Sequence, residues 1–485
     1  MIKVSDTDPR VGKMLASWEL IDCLLGGTEA MRAAGERYMP RWSLEEDRDY
    51  KARLHLATLF PAFAQTIREQ RGRAFANRVE FEESVPDWIK TEVWPDIDRE
   101  DRDGHAFAVD WFSLGVAKGL AHVLVEAPPR IANGIEIRTR AQQQAAGLRP
   151  YCILIDPSRV LGWQVRDGRL SQLRVTWSRE EPGEFGAETV PQIRVYELPE
   201  TGTVYVRVFE KRRAQNGAHE WVEVEQIATE LTMIPLATFY TGRTGFMTAE
   251  PPLRELAWLN AKHWAHQSST DAITETAQIP LLAITGIDDS NQTIPIGSKS
   301  ALKLPIGADA KYVEHSGKAI EAGREGLKAL EEQMKAIGAK LIEPGSGAKT
   351  ATQAGEEAAQ SNSTLGGWIR AFGDAFAAML DMIASYRGEQ TGGRIELHAD
   401  LDPDNAPNES MTVLARMNAQ GVISNETLFN EGKRRGLISA DAEWNDEQER
   451  IAMQGAGNGL AMPSGDTTNS NSDPQSDNRA QGEDS

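Results

Sequence analysis

The chain has 485 residues, of which 40% are hydrophobic and 26% are charged, so it can support two or three globular domains. Its formal charge of −20 argues against a protein that reads nucleic-acid sequence, because such proteins carry a basic face. Two distant cysteines exclude a disulfide framework, and we expect neither a secretory signal nor a membrane span.

The first 127 residues are predicted to be mainly helical. One helix face is formed by Met14, Leu15, Trp18, Ile21 and Leu25, and this helix ends at Gly26-Gly27. Ser43-Leu-Glu-Glu46 has the pattern of a capping box, which predicts a second helix that starts there and runs toward Pro61. A third helix is predicted at about Ala106–Leu120, followed by a strand at His122–Glu126.

From Tyr151 the hydrophobic period changes to two, which predicts an antiparallel meander. The predicted strands are 151–155, 161–166, 169–177, 192–198, 203–210 and 220–227. Asp167-Gly168 and Asn216-Gly217 are hairpin signals between them. Arg394–His398 is predicted to be a further strand that rejoins this α+β domain.

The stretch from Leu253 to Tyr386 has the most distinctive order of elements. A helix at about Leu253–Ala277 is followed by Ile279–Val313, where short apolar runs between Gly and Pro predict a small β module. The next helix carries a 3.5-residue repeat, a seam that must pack against another helix. This seam comprises Ile320, Gly323, Leu327, Leu330, Met334, Ile337 and Leu341.

A Gly-rich loop at Glu343–Thr350 then leads into a long helix from Ala351 to about Tyr386. Residues 408–453 are predicted to be helical, with a helix stop at Gly421 and a new start capped by Ser424. The polar residues from about 455 to 485 are predicted to be disordered.

The sequence indicates no catalytic residue, cofactor or metal site. The loop before Thr350 lacks the glycine spacing of a phosphate-binding loop, since Ala348 precedes Lys349. His263 and His266 are three residues apart on one helix, but no third metal ligand accompanies them. Their spacing therefore favours polar packing beside Trp264 over a metal centre.

These features together resemble the portal (connector) proteins of tailed bacteriophages. The resemblance extends over most of residues 10–455 and depends on the order of parts in 253–388. It also depends on Ile21-Asp-Cys-Leu-Leu-Gly-Gly-Thr-Glu-Ala-Met31-Arg-Ala-Ala-Gly35-Glu-Arg-Tyr38-Met-Pro40 and on Gly421-Val-Ile-Ser424 followed by Arg434-Arg-Gly436-Leu. The long polar tail and the short C-terminal helical region depart from commoner portals.

The resemblance implies an α+β portal-like fold, and it assigns a part of that fold to each segment. Residues 1–252 would form the wing, with an antiparallel β meander from about 151. The helices 253–277 and 318–342 would be the stem, 278–317 the clip and 343–350 the tunnel loop. The long helix and returning strand at 351–407 would rejoin the wing, 408–455 would be the crown, and 456–485 the disordered tail.

The resemblance also implies a non-enzymatic ring, usually of twelve subunits, at one vertex of a capsid. Double-stranded DNA would pass through it during packaging and ejection, without sequence specificity. The terminase large subunit, head-completion adaptors, and the major capsid and scaffold proteins would be its partners. The virion would be its location after synthesis in the host cytoplasm.

The residues expected to meet DNA belong to the loop and the stem. In the loop they are Gly345, Ser346, Gly347, Ala348 and Lys349, and on the stem they are Lys328, Lys335 and Lys340. An acidic wall elsewhere would hold DNA weakly. Two alternatives stay open from the sequence, another phage structural protein such as a scaffold or adaptor, and a soluble enzyme with an unrecognised site.

Overall fold

The computed structural model describes residues 3–126, 131–132, 135–136, 148–213, 219–278, 281–285, 309–313, 317–339, 351–399, 407–434, 437–439 and 442–457. The chain divides into two compact units, Met1–Asp402 and Pro403–Ser485. Helices and antiparallel sheets make up the described residues, so the predicted α+β class is confirmed.

The N-terminal part of the first unit is helical, as predicted. Its helices are α1 (Pro9–Leu25), α2 (Gly27–Ala34), α3 (Asp47–Leu56), α4 (Ala62–Ala74) and α5 (Gly104–Lys118). The Asp8 side chain caps α1 by accepting a hydrogen bond from the Arg10 backbone N–H. The buried face of α1 includes Met14 and Trp18, but Leu25 is 40% exposed and Leu24 is buried in its place.

The predicted capping box at Ser43–Glu46 is wrong. Helix α3 begins only at Asp47, and Leu44 before it has a φ of 70°. The Glu45 carboxylate is instead held 2.7 Å from the guanidinium of Arg53, and both side chains are buried. Leu44 at positive φ cannot belong to a right-handed helix, and the Glu45 carboxylate also accepts a hydrogen bond from the Trp42 N–H, so the helix starts after this turn.

The core of the first unit lies around a three-stranded sheet of β2 (Leu120–Glu126), β5 (Tyr151–Ile155) and β11 (Leu236–Tyr240), in the order β11-β2-β5. Helix α5 and a long helix, α8 (Ala351–Ser385), pack on it. Gly115 of α5 permits this packing, because a methyl group there would lie 2.3 Å from the Phe239 ring. The ring contacts in this core involve Phe75, Trp111, Phe112, Phe239, Phe372 and Phe376.

Five of the six predicted meander strands form an antiparallel sheet in the order β10-β9-β8-β7-β6. Its strands are β6 (Val160–Arg166), β7 (Arg169–Gly183), β8 (Gly186–Glu197), β9 (Tyr205–Arg213) and β10 (His219–Ala228). The prediction is wrong for the first strand, 151–155, which is β5 and pairs with β2 in the three-stranded sheet. Asp167 and Gly168 make the β6–β7 turn, with φ values of 48° and 75°. Asn216-Gly217 lies outside the described residues, but Arg213 pairs with His219 on either side of it.

The strand predicted at Arg394–His398 exists as β16 (Ile395–Glu396). It pairs with β1 (Glu80–Phe81), in the helical N-terminal part of the same unit. The remaining short pairs outside the central stretch are β3 (Ile131–Ala132) with β4 (Ile135–Glu136), and β12 (Arg243–Gly245) with β13 (Thr248–Ala249).

The central stretch contains α6 (Arg254–Ala277), β14 (Leu281–Thr285), β15 (Asp309–Val313), α7 (Lys318–Ala339) and then α8. The predicted apolar stripe of α8 is confirmed, because Leu365, Phe372, Phe376 and Ile383 are fully buried. None of the helices in the described residues has the length and apolar content that a bilayer crossing requires.

The second unit contains α9 (Pro407–Ala419), α10 (Asn425–Arg434) and α11 (Trp444–Gly457). The predicted helix stop at Gly421, with a φ of 73°, is confirmed. The predicted Ser424 cap is also confirmed, because the Ser424 hydroxyl accepts a 3.1 Å hydrogen bond from the Thr427 N–H. The predicted disordered tail falls almost entirely outside the described residues.

Candidate functional site: the helical pair and its β tip

Helices α6 and α7 form an antiparallel pair that ends in the β14–β15 strand pair. Leu281 of β14 pairs with Val313 of β15, and further along Gly323 of α7 faces Thr270 of α6. At 1.5 Å per residue, 24 residues of α6 and 22 of α7 make helices roughly 35 Å long. The strand pair follows α6 and precedes α7 in the chain, so these four elements form a hairpin with a β tip.

The base of this hairpin is anchored in the first unit through α6. Leu256 and Trp264 are completely buried in the main core. Asn260 is also buried, and its side chain accepts a 3.0 Å hydrogen bond from the Phe63 N–H and donates a 2.8 Å bond to the Phe60 carbonyl. Both polar groups of the Asn260 side chain therefore have hydrogen-bond partners, and these two bonds hold α6 against the start of α4.

The distal half of the hairpin is much more exposed. Ile273 of α6 is 37% exposed, and most side chains from Glu321 to Ala329 on α7 are exposed. The predicted seam of α7 is therefore buried mainly toward the base, where Leu330 and Met334 have exposures of 4% and 2%. Ile320, Leu327 and Ile337 are half-buried, and Leu341 lies outside the described residues.

Two glycines on α7 set how closely the helices approach each other. A methyl group at Gly323 would lie 3.0 Å from the Thr270 hydroxyl, and one at Gly326 would lie 2.7 Å from Cε1 of His266. Gly323 was predicted to belong to the seam, whereas Gly326 was not, because the seam was identified from apolar residues at a 3.5-residue repeat. The three-residue spacing of the two glycines is the signal that could have identified it.

A cavity of about 360 Å³ lies between the hairpin and the loop before α4. His263 is 2% exposed and contacts the Phe60 ring at a centroid distance of 5.2 Å. Burial lowers the pKa of His263, and Glu331, whose Oε1 lies 3.4 Å from Nε2, partly opposes that shift. His263 is thus a packed, neutral residue between the helices, and the described residues contain no cluster of three metal-ligating side chains.

The cationic residues predicted for the stem differ in what the structure describes. Lys328 and Lys335 are exposed on α7. Lys340 and the whole loop Gly345, Ser346, Gly347, Ala348 and Lys349 lie outside the described residues. The structure therefore gives a position for two of the predicted contacts to DNA.

A model of the family DUF4055, described as a domain of unknown function, matches residues 252–387. This range is less than half of the chain. It contains the hairpin from α6 to α7 and the long helix α8, and its bounds nearly coincide with Leu253–Tyr386, the stretch with the most distinctive order of elements. No curated protein matches the chain.

Solved structures with similar chains come from particles of a gene transfer agent (GTA). A chain from the neck of the native GTA particle, computed with C12 symmetry, has 14% identity and a TM-score of 0.39, with 82% of this chain and 96% of that chain covered. A chain from the neck of the empty GTA particle, computed with C6 symmetry, has 15% identity, a TM-score of 0.41 and coverages of 83% and 96%.

Proposed function

We propose that the chain is a portal protein, the non-enzymatic subunit of a ring at one capsid vertex through which double-stranded DNA passes. The observation that carries the proposal is the anchored hairpin of α6 and α7 with its β tip, followed directly by a long helix that enters the core. In this proposal the hairpin of α6 and α7 is the stem, and its β tip is the clip. The elements around the core of the first unit form the wing, and the second unit forms the crown.

The exposure of the distal hairpin supports assembly into a ring. On α7, the alanines Ala322, Ala329 and Ala336 are exposed and seven residues apart, so they lie on one flank of the helix. Arg324 and Lys335 lie on the other flank. The flank with small side chains on one copy can pack against the flank with long polar side chains on the next copy. Identical helices can then lie side by side around a closed ring, in which each contact joins two different surfaces.

The charge of the chain supports a conduit that does not retain DNA. Each copy adds a formal charge of −20 to the ring, and counterions screen this charge within about 10 Å. Lys328 and Lys335 on α7 would supply scattered contacts to phosphate, whereas the bulk of the wall repels it. Lys349 in the loop would contribute in the same way, and the terminase and adaptor proteins would dock at the tip.

The mass of the purified protein in solution tests this proposal. We expect light scattering to give twelve times the 53.4 kDa chain mass and negative-stain images to show a central hole. Ala322→Arg with Ala329→Arg should reduce the ring to small species, because both arginines enter the subunit contact. Ala322→Ser with Ala329→Ser is the matched control, because it keeps both side chains of this flank small, and it should leave the ring intact. A wild-type chain that stays monomeric at every concentration would contradict the proposal.

A further inference from the structure

The β7–β8 hairpin extends well beyond the sheet to which it belongs. The last pairing of β6 with β7 is at Val175, and the last pairing of β9 with β8 is at Gln192. Beyond these positions the two strands pair only with each other, from Ser178 with Pro191 to Gly183 with Gly186. Six residues per strand make a free two-stranded arm of roughly 20 Å.

The side chains of this arm are those of a contact surface. Phe185 at its tip is 94% exposed, and all residues from Ser178 to Thr189 are exposed. Glu180, Glu184 and Glu188 make no ion pair with any other described residue. A free two-stranded ribbon is marginally stable in water, so a long arm with an aromatic tip gains stability when a partner covers it.

The edges of the arm are protected against open-ended strand addition. Pro182 and Pro191 lie on its two strands and lack the N–H that a neighbouring strand would need. Its glutamates also repel another copy of the same acidic arm. A partner must therefore bind the tip and the charged side chains, and the arm must enter a complementary surface.

Such a surface lies at the opposite end of the same sheet, at the β6–β7 turn. Arg166 and Arg169 are exposed there and make no ion pair with the described part of the chain, and Val165 beside them is 43% exposed. Arg169 and Gly183 are the two ends of the 15-residue strand β7. One end of the sheet is thus acidic and exposes the aromatic side chain of Phe185. The opposite end is basic and exposes the aliphatic side chain of Val165.

We infer that the β7–β8 arm of one copy docks on the β6–β7 turn of the next copy around the ring. The inference rests on the proposed ring and adds the surface that joins neighbouring wings. Opposite charges at opposite ends produce a head-to-tail contact, which is the contact that closes a ring. The two ends lie too far apart along β7 to meet within one copy, so each copy gives its arm and receives another.

Cross-linking between copies tests the contact directly. One preparation carries Glu184→Cys and the other Val165→Cys, both in a Cys23→Ser background that leaves the buried Cys152 in place. We expect a mild oxidant to join chains of different preparations when both are assembled together. Either preparation alone should give no such product.

Charge reversal supplies the second test and its control. Glu180→Lys with Glu184→Lys should raise the concentration at which half of the chains assemble by roughly tenfold, and so should Arg166→Glu with Arg169→Glu. The chain with all four changes should assemble as the wild type does. Glu46→Lys with Glu83→Lys makes the same change of net charge as the arm variant, on exposed sites in the helical N-terminal part, and it should have no effect.

The outcomes separate this inference from the proposed function. If rings form but no cross-link forms and the charge reversals have no effect, the arm contact is contradicted and the proposed ring is not. Chains that neither assemble nor cross-link overturn both. Cross-linked chains that never close into rings support the arm contact and overturn the ring.

Discussion

Truncation of the two best-buried residues on α7 is expected to free this helix from the first unit. Leu330 and Met334 are 4% and 2% exposed, and in the described residues α7 packs mainly on α6 and also on α4. Replacing a buried Leu or Met with Ala costs about 2–5 kcal/mol. Because both lie on one face and their effects overlap, we expect the double alanine variant to weaken the docking of α7 by about 3 kcal/mol or more.

Hydrogen exchange followed by mass spectrometry measures this docking helix by helix. A loss of about 3 kcal/mol should speed the exchange of α7 amides by roughly 100-fold, while α5 in the core exchanges as before. Lys328→Ala, an exposed change on the same helix, is the control and should shift the free energy by less than about 0.5 kcal/mol. Equal acceleration in α5 and α7 would refute the reasoning, because α7 would then unfold only with the whole unit.

Two further predictions concern acid stability and the loop. Burial lowers the pKa of His122 to about 3. Below the ordinary pKa of 6.5 the unfolded chain therefore binds a proton that the folded chain does not, and the free energy of unfolding decreases as the pH is lowered. Between pH 7 and pH 5, the free energy of unfolding in urea should decrease by about 2 kcal/mol less for His122→Gln than for the wild type. For His219→Gln, a change at an exposed site, it should decrease by as much as for the wild type. Deletion of Gly345–Ala348 should leave ring mass unchanged but lower the amount of DNA packaged or retained, and loss of the ring would instead show that this loop is structural.

Hydrophobic period was enough to predict most elements of the first unit. The strands of the meander and the helix pair appear where the period is two or near 3.6, since both patterns depend only on which face is buried. Leu330 and Met334 were predicted for the same reason. Gly326 was not, because a close approach between helices depends on the shape of the partner, here the His266 ring.

The errors and omissions arise where distant parts of the chain decide the outcome. Ser43–Glu46 has a local capping pattern, but Arg53 binds Glu45 and the helix starts later. The short strand β16 has no local signal for its partner, which lies more than 300 residues earlier in β1. The length of β7 was underestimated by six residues for a related reason, because the exposed arm lacks the alternation that burial produces.

The three long helices of the central stretch are held in the first unit to different degrees. Helix α6 is fixed by Trp264 and by both hydrogen bonds of Asn260, and α8 inserts Phe372 and Phe376 into the aromatic core. Helix α7 between them depends on Leu330, Met334 and the half-buried Ile337. In the described residues its distal half packs on α6, with the closest approaches at two glycines that add no buried side chain. In a ring, neighbouring copies would therefore contribute more to the position of α7 than to that of α6 or α8, which makes α7 the helix whose order should rise most on assembly.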